Sequence, residues 1–107
     1  MLFRALILTL ALLWLPSPAF ADKDAERARA ALQAGQILPL GRILEAVQRD
    51  FNGEVIEVEL DRERGNWVYE IKLLAPHGAV LKLDYDAANA TLLRSRGHNA
   101  DAARRRR

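Results

Sequence analysis

The chain has 107 residues, no cysteine, and 16 Lys plus Arg against 14 Asp plus Glu, for a formal charge of +2. One domain fits that length, which excludes a dinucleotide-binding fold with its own substrate domain, and the lack of cysteine excludes a thiol nucleophile, a thiolate metal site and a disulfide frame. Five cations, Arg4, Arg104, Arg105, Arg106 and Arg107, sit at the two ends; residues 22–103 keep 11 against 14 anions, or −3, so a folded body lacks the massed Lys and Arg of a nucleic-acid surface.

Residues 1–21 follow the three-part plan of a secretory signal peptide: Arg4, an apolar run over residues 5–15, then Pro16 and Pro18 ahead of Ala19-Phe20-Ala21. Ala19 and Ala21 suit the shallow pockets of a signal peptidase, and the prolines are expected to keep the site extended, so cleavage between Ala21 and Asp22 is predicted. The apolar run of 11 residues is well short of the roughly 20 that span a bilayer. The mature chain is therefore expected to be periplasmic or secreted and to carry no transmembrane segment.

Residues 22–34 are rich in alanine, carry Asp22, Asp24 and Glu26 at the start and end at Gly35. Acids at the start complement a helix dipole and a glycine just past the end supplies a left-handed cap, so a helix is predicted. Its apolar face, Ala25, Ala28, Ala31 and Leu32, is made of small side chains and buries little. Pro39 then stands where a first helical residue would, and Leu40, Ile43, Leu44, Val47 and Phe51 follow at helical spacing, with Asn52-Gly53 as the stop. This second helix is expected to be the better core element.

From residue 54 the apolar period changes to two. Ile56, Val58 and Leu60, then Trp67, Tyr69, Ile71 and Leu73, then Ala79, Leu81, Leu83 and Tyr85 form the apolar face of three antiparallel strands, whose other face is mostly charged. Arg62-Glu63-Arg64-Gly65 is expected as a four-residue loop, pairing Leu60 with Trp67 and Val58 with Tyr69 and setting Glu70 across from Glu57. Pro76-His77-Gly78 is expected as a three-residue loop, pairing Leu73 with Ala79 and Ile71 with Leu83. A short fourth strand over residues 91–96 has room after the turn at Asp86-Ala87-Ala88-Asn89. The fold class is thus α+β, two N-terminal helices packed on one face of a three-stranded antiparallel sheet that can extend to four, within residues 22–96. Residues 97–107 end in like charges that repel, and are expected to be disordered.

Taken in order, Ala30-Ala31-Leu32-Gln33-Ala34-Gly35, Leu38-Pro39-Leu40 with Ile43-Leu44, Gly53-Glu54-Val55-Ile56-Glu57-Val58-Glu59-Leu60, Trp67-Val68-Tyr69-Glu70-Ile71-Lys72 and Gly78-Ala79-Val80-Leu81-Lys82-Leu83-Asp84-Tyr85-Asp86-Ala87 resemble the small exported bacterial proteins of the PepSY family. The likeness covers roughly residues 25–93 and lies in order and spacing more than in any single motif. It departs at the family's usual Asp-Ala-x-Thr-Gly turn, which here reads Asp86-Ala87-Ala88-Asn89; Asn tolerates a left-handed position, so the turn is expected to survive. The resemblance implies a non-catalytic module of the kind found in propeptides of thermolysin-like metalloproteases and in exported or membrane-attached proteins, restraining a peptidase or modulating envelope signalling. It implies no cofactor and offers no catalytic residues.

The residues themselves point the same way. His77 lies in a tight turn and His98 beside Gly97 near the tail, so neither is placed for a metal site or a triad, and no Gly-x-Ser-x-Gly or phosphate-cradling loop occurs. Carboxylates are the one plentiful group. Glu57, Glu59 and Glu70 could form an acid-base or calcium site, but Lys72 and Lys82 share their face, which reads instead as a solvated checkerboard of charge. Trp67 and Tyr69 are expected in the core with Ile56 and Val58. A protein partner in the envelope, a peptidase or a sensor kinase, is the leading expectation, with Glu57, Glu59, Glu70, Lys72, Lys82, Arg104, Arg105, Arg106 and Arg107 as candidate contact residues. The alternative is an anionic envelope component held by the arginine tail, each basic residue near an anionic surface contributing about 1 kcal/mol.

Overall fold

A computed structural model describes residues 19–106. Residues 1–18, most of the expected leader, and Arg107 lie outside the described residues. Helix α1 (Ala19–Gln33) is followed by helix α2 (Leu40–Asp50), strands β1 (Glu54–Glu63), β2 (Asn66–Leu74), β3 (Val80–Asp86) and β4 (Leu92–Arg96), and a short 3₁₀ helix (Ala100–Ala103). The four strands form one antiparallel sheet in the order β1-β2-β3-β4. The fold is α+β, and β4 supplies the fourth strand.

α1 begins before Asp22, so Ala19 and Ala21 lie in its first turns and not in extended chain. Proline is tolerated ahead of a first turn, whose amides have no helical acceptors, and the alanine-rich sequence favours helix. The glycine cap forms as the sequence suggests: Gly35 has φ +74, its N–H donates to the Leu32 carbonyl at 3.1 Å, and the Gln36 N–H donates to Ala31 at 2.8 Å. Ala31 is buried but Leu32 is 44% exposed, so the apolar face of this helix is narrower than its spacing suggested. In α2, Pro39 is the N-cap and not the first helical residue. Ile43, Val47 and Phe51 are buried, whereas Leu40 is 39% exposed at the first turn. Each buried side chain of that size contributes about 1.5–3 kcal/mol, which alanines cannot match. These residues share one core cluster with Ile71, Leu73, Leu81, Leu83 and Tyr85 from the two central strands. The Tyr69 hydroxyl donates to the Leu38 carbonyl at 2.9 Å and ties the connector between the helices to the sheet.

The first hairpin is tighter than expected. Glu63 pairs with Asn66, leaving a two-residue turn at Arg64 (φ +51) and Gly65 (φ +83), the double positive φ of a type I′ hairpin. Strand twist favours that turn enough to carry an arginine into the left-handed region. The register therefore moves by two residues and keeps its parity, pairing Leu60 with Tyr69, Val58 with Ile71 and Glu59 with Glu70, while Lys72 and not Glu70 faces Glu57. A bulge between Val55 and Glu57 turns Ile56 outward, 51% exposed, and lets Val55 pack on the core in its place. The second loop keeps its three residues, closed by Ala75 N–H donating to Ala79 at 2.9 Å. That fixes Ile71 opposite Leu83 as predicted, and Leu73 opposite Leu81 instead of Ala79. At the β3–β4 turn the left-handed residue is Ala90 (φ +61), while Asn89 accepts the Thr91 N–H on its side chain at 3.0 Å.

Residues 97–106 are folded onto the domain, contrary to the disorder expected of them. His77 Nε2 donates to the His98 carbonyl at 2.9 Å, Ala103 is fully buried, and Arg104 forms an antiparallel bridge with Phe51. The charge of the tail does not keep it in solvent because the last turn of α2 offers unsatisfied carbonyls to cations.

Candidate interaction site

Two polar centres and one open surface hold the side chains with functional chemistry. The first centre joins α2, β3 and the tail. Asp50 ends α2 with only 6% exposure, and accepts from the Tyr85 hydroxyl at 3.0 Å and from Arg49 Nε at 3.1 Å. Burial is the largest single influence on this carboxyl and pushes it up. The hydrogen bonds from Arg49 and Tyr85, with the charges of Arg49 and Arg104, outweigh burial and hold it below its ordinary value. Burial first, and the Asp50 charge second, push the Tyr85 hydroxyl well above its own. Around this pair the tail completes the helix end. Arg105 N–H donates to Asp50 O at 2.8 Å, Arg105 Nε donates to Gln48 O at 2.7 Å and Phe51 O at 3.1 Å, and the Arg104 guanidinium lies 5.5 Å from the Phe51 ring. Two of the candidate tail cations are thus structural. Arg106 is exposed and makes no such contact among the described residues.

The second centre is Asp84, 1% exposed in the middle of β3. Arg94 Nε donates to it at 2.8 Å and Arg96 Nη2 stands at 3.4 Å, both from β4, while Arg94 Nη2 also reaches Glu63 at 2.7 Å. Its hydrogen bonds to the Glu63 and then the Asp84 carboxylate raise Arg94 above its ordinary value. Among the described residues Asp84 Oδ1 is the one buried side-chain oxygen without a partner. Alternation places Asp84 on the solvated face, so its spacing does not single it out; Arg94 and Arg96 on the next strand are the one signal the sequence carries of a buried charge there.

The open surface is the sheet face away from the helices. Cross-strand rows read Glu57, Lys72, Lys82, Arg96 and then Glu59, Glu70, Asp84, Arg94. Lys72 Nζ meets Glu57 at 2.7 Å and is raised above its ordinary value by that hydrogen bond, and Lys82 Nζ lies 3.8 Å from Glu70. All five sheet residues predicted for contact therefore lie on one face. Glu57, Glu59 and Glu70 do not gather: among the described residues no three His, Cys, Asp or Glu side chains stand close enough to share a metal ion. Val68, assigned by alternation to this charged face, is 4% exposed beneath a cavity of about 560 Å³ lined by Glu63, Trp67, Asp86, Leu93 and Arg94. Trp67 is only half-buried, with Arg62 stacked 5.4 Å from its ring, so it is less of a core residue than Tyr69. Among the described residues no helix is long and apolar enough to cross a membrane.

The family model for the peptidase propeptide and YPEB domain, PepSY, matches residues 37–96, the span from the helix connector to the end of β4. Comparison with curated proteins and with solved structures gives no match.

Proposed function

Because the chain belongs to the PepSY family, whose model spans more than half of it, we propose that it is a non-catalytic, exported module that binds a protein partner and so modulates a peptidase or an envelope signalling system. The observation that carries this reading is the coincidence of the family match with the helix-on-sheet unit. The fold devotes one face to the helices and turns most of the other, apart from the buried Val68 and Asp84, to solvent. Nothing on that face resembles a nucleophile held beside a base, whereas paired and unpaired charges on a rigid sheet suit selective recognition. Export after cleavage between Ala21 and Asp22 fits a family typically found outside the cytoplasm. A tether to anionic surfaces through the tail has less support, since Arg104 and Arg105 are engaged by α2 and Phe51.

The test is co-purification from the envelope of the producing cell under mild crosslinking, followed by assay of any recovered peptidase with and without added protein. Recovery of a peptidase whose activity falls, or of a sensor whose output shifts, is the expected result. No specific partner across repeated preparations would remove the reading. Mass spectrometry of the exported protein should find Asp22 at its N-terminus.

A further inference from the structure

Resting on the protein-binding reading above, we infer that the free edge of β1 is the docking strand, and that its occupant is an extended segment of a second protein in which basic and apolar residues alternate. β1 is an outer strand, paired on one side with β2 only. Among the described residues, none of the backbone hydrogen bonds formed outside helices and strands comes from β1. The Arg62 N–H donates to Asp61 Oδ1 at 3.0 Å; the other outward backbone groups of β1 are available to an added strand, the mode by which extended peptides join sheets.

Two features choose the chemistry of the occupant. Glu57, Glu59, Asp61 and Glu63 stand at alternate positions on the solvent face of β1. Among the described residues, the ion pairs of this row are Glu57 with Lys72 and Glu63 with Arg94. Glu59 faces Glu70, another acid. A strand laid beside this row meets a ladder of carboxylates, which repels an acidic edge and favours lysine or arginine over neutral residues on that face. A second copy of β1 is excluded by the same charges, because self-pairing sets acid against acid. On the other face, Val58 and Leu60 are only half-buried, unlike Ile71 and Leu83, which are fully buried. Beside Leu60 a cavity of about 270 Å³ opens between β1 and α1, lined by Ala25, Ala28 and Trp67 and rimmed by Asp24 and Arg27. Apolar side chains of an added strand would cover Val58 and Leu60 and fill that cavity. The other edge, β4, lacks this character, since its Arg94 and Arg96 are already engaged by Asp84.

The experiment titrates the purified protein with a blocked peptide of alternating lysine and valine, long enough to span residues 57–63, and follows backbone amide shifts, amide exchange and Trp67 fluorescence. Saturable binding with new exchange protection confined to β1 is expected. A block isomer of the same composition and a peptide N-methylated at alternate residues should both fail to bind. The double variant Glu59→Lys with Asp61→Lys should weaken binding by about tenfold or more, since opposed charges become like charges; its thermal unfolding shows whether it folds. The N-methylated peptide needs no variant. Equal binding of the block or N-methylated peptide, shifts centred on β4 or the tail, or self-association of the protein through β1 would each overturn the inference. The two readings separate in the co-purification assay. A partner recovered equally by wild type and the double variant removes the docking strand and leaves protein binding intact, whereas no partner for wild type removes the protein-binding reading itself.

Discussion

Deleting residues 104–107 should unfold the domain more easily, although four terminal arginines look dispensable. The deletion removes the Arg105 N–H bond to Asp50 O at 2.8 Å, the Arg105 Nε contacts to Gln48 and Phe51 carbonyls at 2.7 and 3.1 Å, and the Arg104 stack on Phe51 at 5.5 Å. A backbone hydrogen bond contributes about 1 kcal/mol. The charge-assisted pair at the helix end, discounted for exposure, adds about 1, and an exposed cation–π contact about 0.5. The expected loss is about 2–3 kcal/mol, which lowers the melting temperature of a domain this small by roughly 10–20 °C. Urea unfolding followed by circular dichroism measures it. Arg105→Ala alone should cost about 1 kcal/mol, whereas Arg106→Ala should cost nothing measurable. A loss below about 0.5 kcal/mol on deleting all four residues, the ordinary range of surface changes, would refute the clamp.

Asp50 is held below its ordinary value of 3.8 in the folded protein, so the stability it gives is complete above that pH and lost as the pH falls below it. Asp50→Asn should therefore flatten the acid limb of the stability curve, read as unfolding midpoints from pH 6 down to about 2. Tyr85 is raised above its ordinary value of 10.0, with burial the main cause, so the stability linked to its proton persists below pH 10 and falls as the pH rises above it. Phenolate absorbance should then appear together with unfolding, and Tyr85→Phe should extend the stable range; a smooth phenolate titration of the folded protein near pH 10 would contradict this. Ala90 occupies a left-handed position at φ +61, so Ala90→Gly should stabilise by about 1 kcal/mol in denaturant titration. Amide exchange should be slowest in β2 and β3 and faster in α1 and β1, since the buried side chains concentrate on the central strands.

The pattern of the sheet was legible because parity survives errors of register. Moving the first hairpin by two residues left Val58, Leu60, Tyr69 and Ile71 on the same face, so the apolar alternation located the strands even though the loop length was wrong. The turn itself was not legible, because Arg64 gives no sign of adopting a positive φ that strand twist, a property of the paired sheet, imposes on it. Ile56 was lost to a bulge that only the paired strands reveal. The charged residues of the candidate surface were found for the same parity reason, but Glu57 was matched with Glu70 and not with Lys72, which changes an acid pair into an ion pair. Tyr85 is placed on the apolar face by its spacing, but its bond to Asp50 is not legible in the sequence, because it links positions 35 residues apart.

The tail is the clearest case of a local rule overruled by a distant partner. Four adjacent arginines repel one another in isolation, and composition alone predicts solvated chain. A helix C-terminus, however, gathers unpaired carbonyls and the negative end of a dipole, and a guanidinium carries several donors that can serve two carbonyls at once. Arg105 does this at Gln48 and Phe51 while its own N–H closes on Asp50. The basic end thereby becomes part of the body, and the charge it brings settles beside α2 and the start of β1. Arg105 lines a cavity of about 380 Å³ with Glu54 and Val55, whereas Glu59 and Asp61, further along β1, form no ion pair among the described residues. A chain with a formal charge of +2 can in this way present an acidic edge to a basic partner, because Arg96, Arg104 and Arg105 are engaged away from that edge, at Asp84 and at the end of α2.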